Sequence, residues 1–133
     1  MIRRVTMIED SRETMIKFLH SLPRDENVEV QAIVIAPFFD NKIEQAIDEF
    51  DPDLIILDLL LTRDEESGFR VLRRLKESAL LKDIPVVVCS KLISRGSDDK
   101  NRQRAELYNP AAVLPKIPFP EAQEFLNYAR ARS

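Results

Sequence analysis

Five polar side chains sit just beyond short apolar runs: Glu9 and Asp10 after Val5-Thr6-Met7-Ile8, Asp58 after Leu54-Ile55-Ile56-Leu57, Ser90 after Val86-Val87-Val88-Cys89, and Lys116 shortly after Ala112-Val113-Leu114. Three carboxylates with neither histidine nor cysteine beside them make a hard, oxygen-rich set. Such a set suits Mg²⁺, which keeps several waters and takes only a few protein oxygens. Three acids in one place also repel one another unless a cation joins them. Each residue has an ordinary reading as well. Glu9 or Asp10 could cap a helix, Asp58 could be a solvated loop acid, Ser90 a strand-end hydroxyl and Lys116 a surface lysine beside a turn. The elements that carry them decide the matter.

The run Asp53 to Leu57 reads as a strand buried on both faces of a parallel sheet, because its four aliphatic residues are consecutive. Asp58 then leaves that strand at its carboxyl end. Val5 to Ile8 is a first strand, followed by a helix capped by Ser11 that carries Met15, Ile16, Phe18, Leu19 and Leu22 up to Pro23. Val28 to Ala36 is a second strand, and beyond Pro37 and Asp40 a helical stripe of Ile43, Ala46, Ile47 and Phe50 precedes the third. After a polar loop, Thr62 to Glu66, Ser67-Gly68 opens a helix whose buried side is Val71, Leu72, Leu75 and Ala79. Ile84 to Ser90 is a fourth strand, Asp98 to Tyr108 a helix with Ala105 and Leu107 as its few apolar residues, and Ala112 to Leu114 a fifth strand. Asn109-Pro110 ends the fourth helix. Pro120 at a first helical position opens the last one, which turns Ala122, Phe125, Leu126 and Ala129 inward.

Strands alternating with helices under right-handed crossovers give a doubly wound α/β domain with a five-stranded parallel sheet and five helices. In strand order 2-1-3-4-5 the first and third strands flank the topological switch point, so Glu9, Asp10 and Asp58 converge there. The expected organisation is one domain over 1–133, with no repeat, linker or low-complexity tract.

Composition narrows the classes. A hydrophobic fraction of 44% supports a core, and no apolar run approaches the roughly 20 residues of a membrane span. A net charge of −3 gives no electrostatic footprint for nucleic acid. The single cysteine, Cys89, excludes an internal disulfide and fits a reducing cytoplasm; it reads as a small buried hydrophobe. The single histidine, His20, leaves no histidine-based metal site and reads as a surface residue near a helix end.

The pattern Met7-Ile8-Glu9-Asp10-Ser11, Leu57-Asp58-Leu59-Leu60, Ser67-Gly68-Phe69, Pro85 to Ser90 and Pro115-Lys116-Ile117-Pro118-Phe119 resembles the receiver domain of two-component response regulators. The likeness covers essentially the whole chain and implies a flavodoxin-like fold of the chemotaxis-regulator kind. It implies that Asp58 accepts a phosphoryl group from a sensor histidine kinase or histidine phosphotransfer protein, as carboxylate nucleophiles do elsewhere. Glu9, Asp10, Asp58 and the backbone carbonyl of Leu60 would hold Mg²⁺. Ser90 and Lys116 would bind phosphoryl oxygens, and the fourth helix and fifth strand would repack to alter a protein-binding face.

Some positions depart from the family pattern. Ile117 stands between Lys116 and Pro118, so either the loop is trans or the bond before Pro118 is the cis one. Val113 replaces a frequent switching aromatic. Lys91 follows Ser90 where a small residue is common, and could crowd an arriving phosphoryl group or assist it. The loop from Asp58 to Gly68 looks slightly long. Apolar Leu60 and Leu92 flank the site without guiding water, which implies slow dephosphorylation.

Arg70, Arg73, Arg74 and Lys76 read as a solvated helix face, as do Arg95, Lys100, Arg102 and Arg104 in preference to a docking surface. The leading expectation is a stand-alone phosphoacceptor, not a turnover enzyme, that signals through a downstream protein. Against it stand a receiver cut from a longer regulator and a pseudo-receiver that binds without being phosphorylated. A phosphatase of the haloacid dehalogenase type is disfavoured, because Leu60 stands where that family has a second acid.

Overall fold

The computed structural model describes residues 2–35, 39–61, 64–94 and 99–131. Ten elements alternate along the chain: β1 (Ile2–Ile8), α1 (Arg12–His20), β2 (Asn27–Ile33), α2 (Asn41–Phe50), β3 (Leu54–Leu57), α3 (Ser67–Glu77), β4 (Val86–Ser90), α4 (Lys100–Glu106), β5 (Ala112–Pro115) and α5 (Ala122–Leu126). The strands form a single parallel sheet in the order β2-β1-β3-β4-β5. The parallel sheet is the one expected from the alternation of apolar runs, and its flavodoxin-like strand order is the one the receiver resemblance implied.

Side chains alternate across a strand, so successive aliphatics in β3 feed two cores. Ile55 and Leu57 join Ile8, Val86 and Val88 on one face, under Ile47 of α2, Leu72 and Leu75 of α3 and Ala105 of α4. Leu54 and Ile56 join Val5, Met7, Val87 and Cys89 on the other, under Phe18 of α1 and Phe125 of α5. The Phe18 and Phe125 rings meet edge to face at 5.8 Å. Both central strands, β3 and β4, are buried along their whole length, which is why they read as unbroken apolar runs.

Element ends moved where tertiary context outweighed local pattern. Strand β1 begins at Ile2, and β2 runs Asn27–Ile33, not to Ala36, which lies outside the described residues together with Pro37. Helix α1 stops at His20, and Ile16 and Leu19 are 43% and 47% exposed, so they are not part of its core face. Helix α3 ends at Glu77 and leaves Ala79 exposed. Helix α4 is shorter than expected, and its Leu107 is 78% exposed, whereas Ala105 is buried as anticipated. The expected start at Asp98 lies outside the described residues. Helix α5 begins at Ala122 with Glu121 as its cap, so Pro120 precedes the helix and does not open it.

At the amino-terminal rim a buried acid ties the chain's end to the sheet. The Asp53 carboxylate accepts the Arg4 N–H at 2.9 Å and lies 3.8 Å from the Arg130 guanidinium, while its carbonyl accepts the Arg130 N–H. Glu9, Asp10, Asp58, Ser90 and Lys116 lie at the opposite rim.

Candidate functional site

Register brings the site residues to one rim. Ile8 lies opposite Leu57, and Ser90 lies opposite Pro115. The ladder continues one residue beyond the strands: Asp58 N–H donates to the Ile8 carbonyl at 3.1 Å, Glu9 N–H to Ile33 at 3.2 Å and Lys116 N–H to Ser90 at 3.2 Å. Glu9, Asp58, Ser90 and Lys116 therefore spring from backbone that the sheet already holds.

Lys116 Nζ donates to Glu9 Oε2 and to Asp58 Oδ2, both at 2.9 Å. The remaining oxygens of these acids are also engaged. Glu9 Oε1 accepts the Ser11 N–H at 3.0 Å, and Asp58 Oδ1 accepts the Leu60 N–H at 3.0 Å. Glu9 and Asp58 are each 4% exposed and Lys116 is 7% exposed, whereas Asp10 is open to solvent. One carboxylate oxygen from each of Glu9, Asp10 and Asp58 lies within 4.8 Å of the others. The cleft in front of them, about 430 Å³, is lined by these acids with Ser11, Leu60, Lys91 and Lys116.

Burial and the Asp58 charge push the Glu9 carboxyl up to about 7, against the opposing pull of Lys116. Burial depresses the Lys116 ammonium, but its hydrogen bonds and charge contacts with Asp58 and Glu9 outweigh that and hold its pKa above the ordinary lysine value. The pair of acids is thus a site short of positive charge. Its donors are all carboxylate oxygens, two of them on buried acids, which is the donor set a divalent Mg²⁺ ion takes.

Ser90 stands at the end of β4 as expected, but it is fully buried, and its hydroxyl oxygen accepts the Leu92 N–H at 3.2 Å. Leu60 lines the cleft, while Leu92 packs half-buried against the core. The bond joining Ile117 to Pro118 is the cis one, and Lys116 reaches both acids.

The loop that carries Asp58 is backed by residues whose role the sequence did not disclose. Gly68 donates its N–H to the Leu59 carbonyl at 3.0 Å, and a Cβ there would lie 2.1 Å from the Leu59 Cα. Its neighbour Ser67 places its hydroxyl, with one proton to donate, within hydrogen-bond distance of the Leu61 and Asp64 carbonyls and accepts the Leu61 N–H. An isolated antiparallel bridge joins Leu61 and Asp64. Thr62 and Arg63 lie outside the described residues. The available signal was that Gly68 is one of only two glycines in the chain.

Of the residues set aside from the site, Cys89 is buried and His20 exposed as expected, whereas Lys76 and Arg102 are half-buried and not part of a solvated face. Burial drives the Cys89 thiol up to about 12, too high for a nucleophile near neutral pH. His20 is the exposed last residue of α1. Arg70, Arg73 and Arg74 pair with Asp64, Glu77 and Glu44. Arg102 donates to the Val113 and Ser94 carbonyls, and Arg104 lies over the Phe69 ring and pairs with Glu66. These basic side chains are used locally; Arg95 lies outside the described residues.

Response regulators and their receiver domains are among the solved structures that match this chain over most of its length. The signal receiver domain of a DNA-binding response regulator from Colwellia psychrerythraea aligns with a TM-score of 0.66, 19% identity and 94% of each chain covered. The phosphorylated cyanobacterial phytochrome response regulator RcpA aligns with a TM-score of 0.69, 23% identity and 100% of each chain covered. The Mn²⁺-bound form of response regulator Rcp1 aligns with a TM-score of 0.59 and 23% identity over 86% of this chain and 81% of its own. No protein-family model matches the sequence, and no curated protein does. At these identities the likeness establishes a receiver-domain fold. No helix among the described residues is long and apolar enough to cross a membrane.

Proposed function

We propose that the chain is a single receiver domain that accepts a phosphoryl group on Asp58 and passes the signal on by protein contact. The observation that carries this reading is the buried Lys116 ammonium held between Glu9 and Asp58, with Asp10 completing an acidic cluster at the rim of a receiver fold. Glu9, Asp10 and Asp58, with the backbone carbonyl of Leu60, would hold Mg²⁺. When bound, that ion neutralises phosphoryl oxygens and offsets charge in the transition state.

The chain's own groups do the rest. The Asp58 carboxylate attacks phosphorus; the bond from phosphorus to the donor breaks, and the donor leaves with that electron pair. Lys116 Nζ, held 2.9 Å from both Glu9 and Asp58, is the cation placed to pair with an oxygen of a phosphoryl group on Asp58. The Ser90 hydroxyl, which accepts the Leu92 N–H, can donate its proton to another phosphoryl oxygen. A movement of Ser90 is felt in α4, because Asn101 donates to the Leu92 carbonyl and Arg102 grips the Ser94 carbonyl and the Val113 carbonyl of β5.

The phosphoryl source is a sensor histidine kinase or a histidine phosphotransfer protein, and the output is a downstream protein. Turnover of exogenous phosphoesters is not expected. The test is incubation with Mg²⁺ and acetyl phosphate followed by intact mass measurement. One phosphoryl group should be gained by wild type and none by Asp58→Asn. A wild type that gains none would make the chain a binding module of receiver fold.

A further inference from the structure

We propose that Lys91 is a second phosphate-binding cation of this site, one that captures the arriving anionic phosphodonor. The inference rests on the phosphoacceptor reading of Asp58 and extends it to a residue that reading does not use.

Two ammonium groups line the cleft, and their circumstances differ. Lys116 is buried and already committed to two carboxylates at 2.9 Å. Lys91 is exposed, lines the same cleft and forms no ion pair among the described residues. Its backbone is well fixed: it directly follows Ser90, whose carbonyl accepts both the Lys116 and the Ile93 N–H groups. Lys91 thus follows a hydrogen-bonded strand end and lines the cleft with an exposed, long side chain.

An acyl phosphate brings a dianionic phosphoryl group toward three carboxylates. A divalent ion held by the three acids would offset two of their charges and Lys116 the third, which leaves the dianionic phosphoryl group to be met by a further cation. Lys91 supplies a charge at the solvent side, where the donor first meets the protein and where its transferable phosphoryl oxygens remain accessible. The other reading of a long side chain here is crowding, and charge separates the two. A crowding residue slows transfer whatever its charge, and truncating it speeds transfer. A capturing cation is needed for its charge, and arginine replaces it.

The experiment follows phosphorylation of Asp58 by acetyl phosphate with Mg²⁺ in wild type, Lys91→Arg, Lys91→Gln and Lys91→Ala, at low and high salt. A parallel arm measures binding of beryllofluoride with Mg²⁺ by ¹⁹F NMR. Loss of one partly exposed charge contact corresponds to a drop of about fivefold. Lys91→Gln and Lys91→Ala should fall by that factor in both rate and beryllofluoride affinity, Lys91→Arg should retain both, and the gap should close in high salt. Rates for Gln and Ala equal to or above wild type would overturn the proposal. If wild type takes up no phosphoryl group, it is the Asp58 reading that fails. Lys91 is then judged by the beryllofluoride arm, where equal affinities of wild type and Lys91→Gln would overturn it.

Discussion

Replacing Gly68 by alanine tests whether helix α3 positions Asp58. The added methyl would lie 2.1 Å from the Leu59 Cα, 2.3 Å from its carbonyl oxygen and 2.4 Å from its carbonyl carbon. These are backbone atoms of the residue after Asp58, so no side-chain rotation relieves the clash; about an ångström of separation must open between α3 and the loop. Alanine in a helix gains up to about 1 kcal/mol over glycine, while overpacking costs about 1–3 kcal/mol. With the clash falling on backbone, the top of that range applies and the net loss is about 2 kcal/mol. Since the Gly68 N–H also donates to the Leu59 carbonyl, the shift carries Asp58 with it. A misplacement of about 1 Å costs up to ~100-fold in transfer rate, so phosphorylation should slow by more than about tenfold. Urea unfolding and the rate of mass gain with acetyl phosphate read the two effects separately. A Gly68→Ala protein as stable as wild type and labelled at the wild-type rate would refute the reasoning.

Other expectations follow from the same geometry. Glu9 holds its proton to about pH 7 when folded, against 4.5 for the ordinary group, so in chelator its contribution should destabilise the fold progressively between those values, by about 3 kcal/mol in all. Urea unfolding from pH 4.5 to 7.5 should show this decline in wild type and a flatter profile in Glu9→Gln; parallel profiles would contradict it. Lys116→Met leaves two buried acids without their cation and should cost about 3–5 kcal/mol in chelator, with much of the loss restored by Mg²⁺; equal losses with and without the ion would count against a shared metal site. Leu60 offers no polar atom to guide water from its side chain, so the phosphorylated form should persist well beyond seconds, and Leu60→Asn should shorten its life when followed by mass.

The two fully buried strands could be read in the sequence because burial on both faces forces unbroken aliphatic runs, and the polar residue ending each run marks the rim. That is how Glu9, Asp58, Ser90 and Lys116 could be assigned to one edge before any coordinates. Helix ends were less legible. Ile16 and Leu19 are apolar at helical spacing yet face solvent, since pattern cannot tell a core face from an exposed one. Nor does spacing reveal that Gly68 backs Leu59, because close approach of two backbones is a property of the packed loop. The loop after Lys116 was open between two geometries, and the residues alone could not choose.

The most direct measurement is chemical localisation of the phosphoryl group. Borohydride reduces an acyl phosphate to the alcohol, so a labelled carboxylate is converted into a permanent mark that peptide sequencing by mass spectrometry can place. After treatment with Mg²⁺ and acetyl phosphate, the mark should fall on Asp58 and be absent when Mg²⁺ is chelated. A mark on Glu9, Asp10 or any other acid, or none at all, would contradict the account.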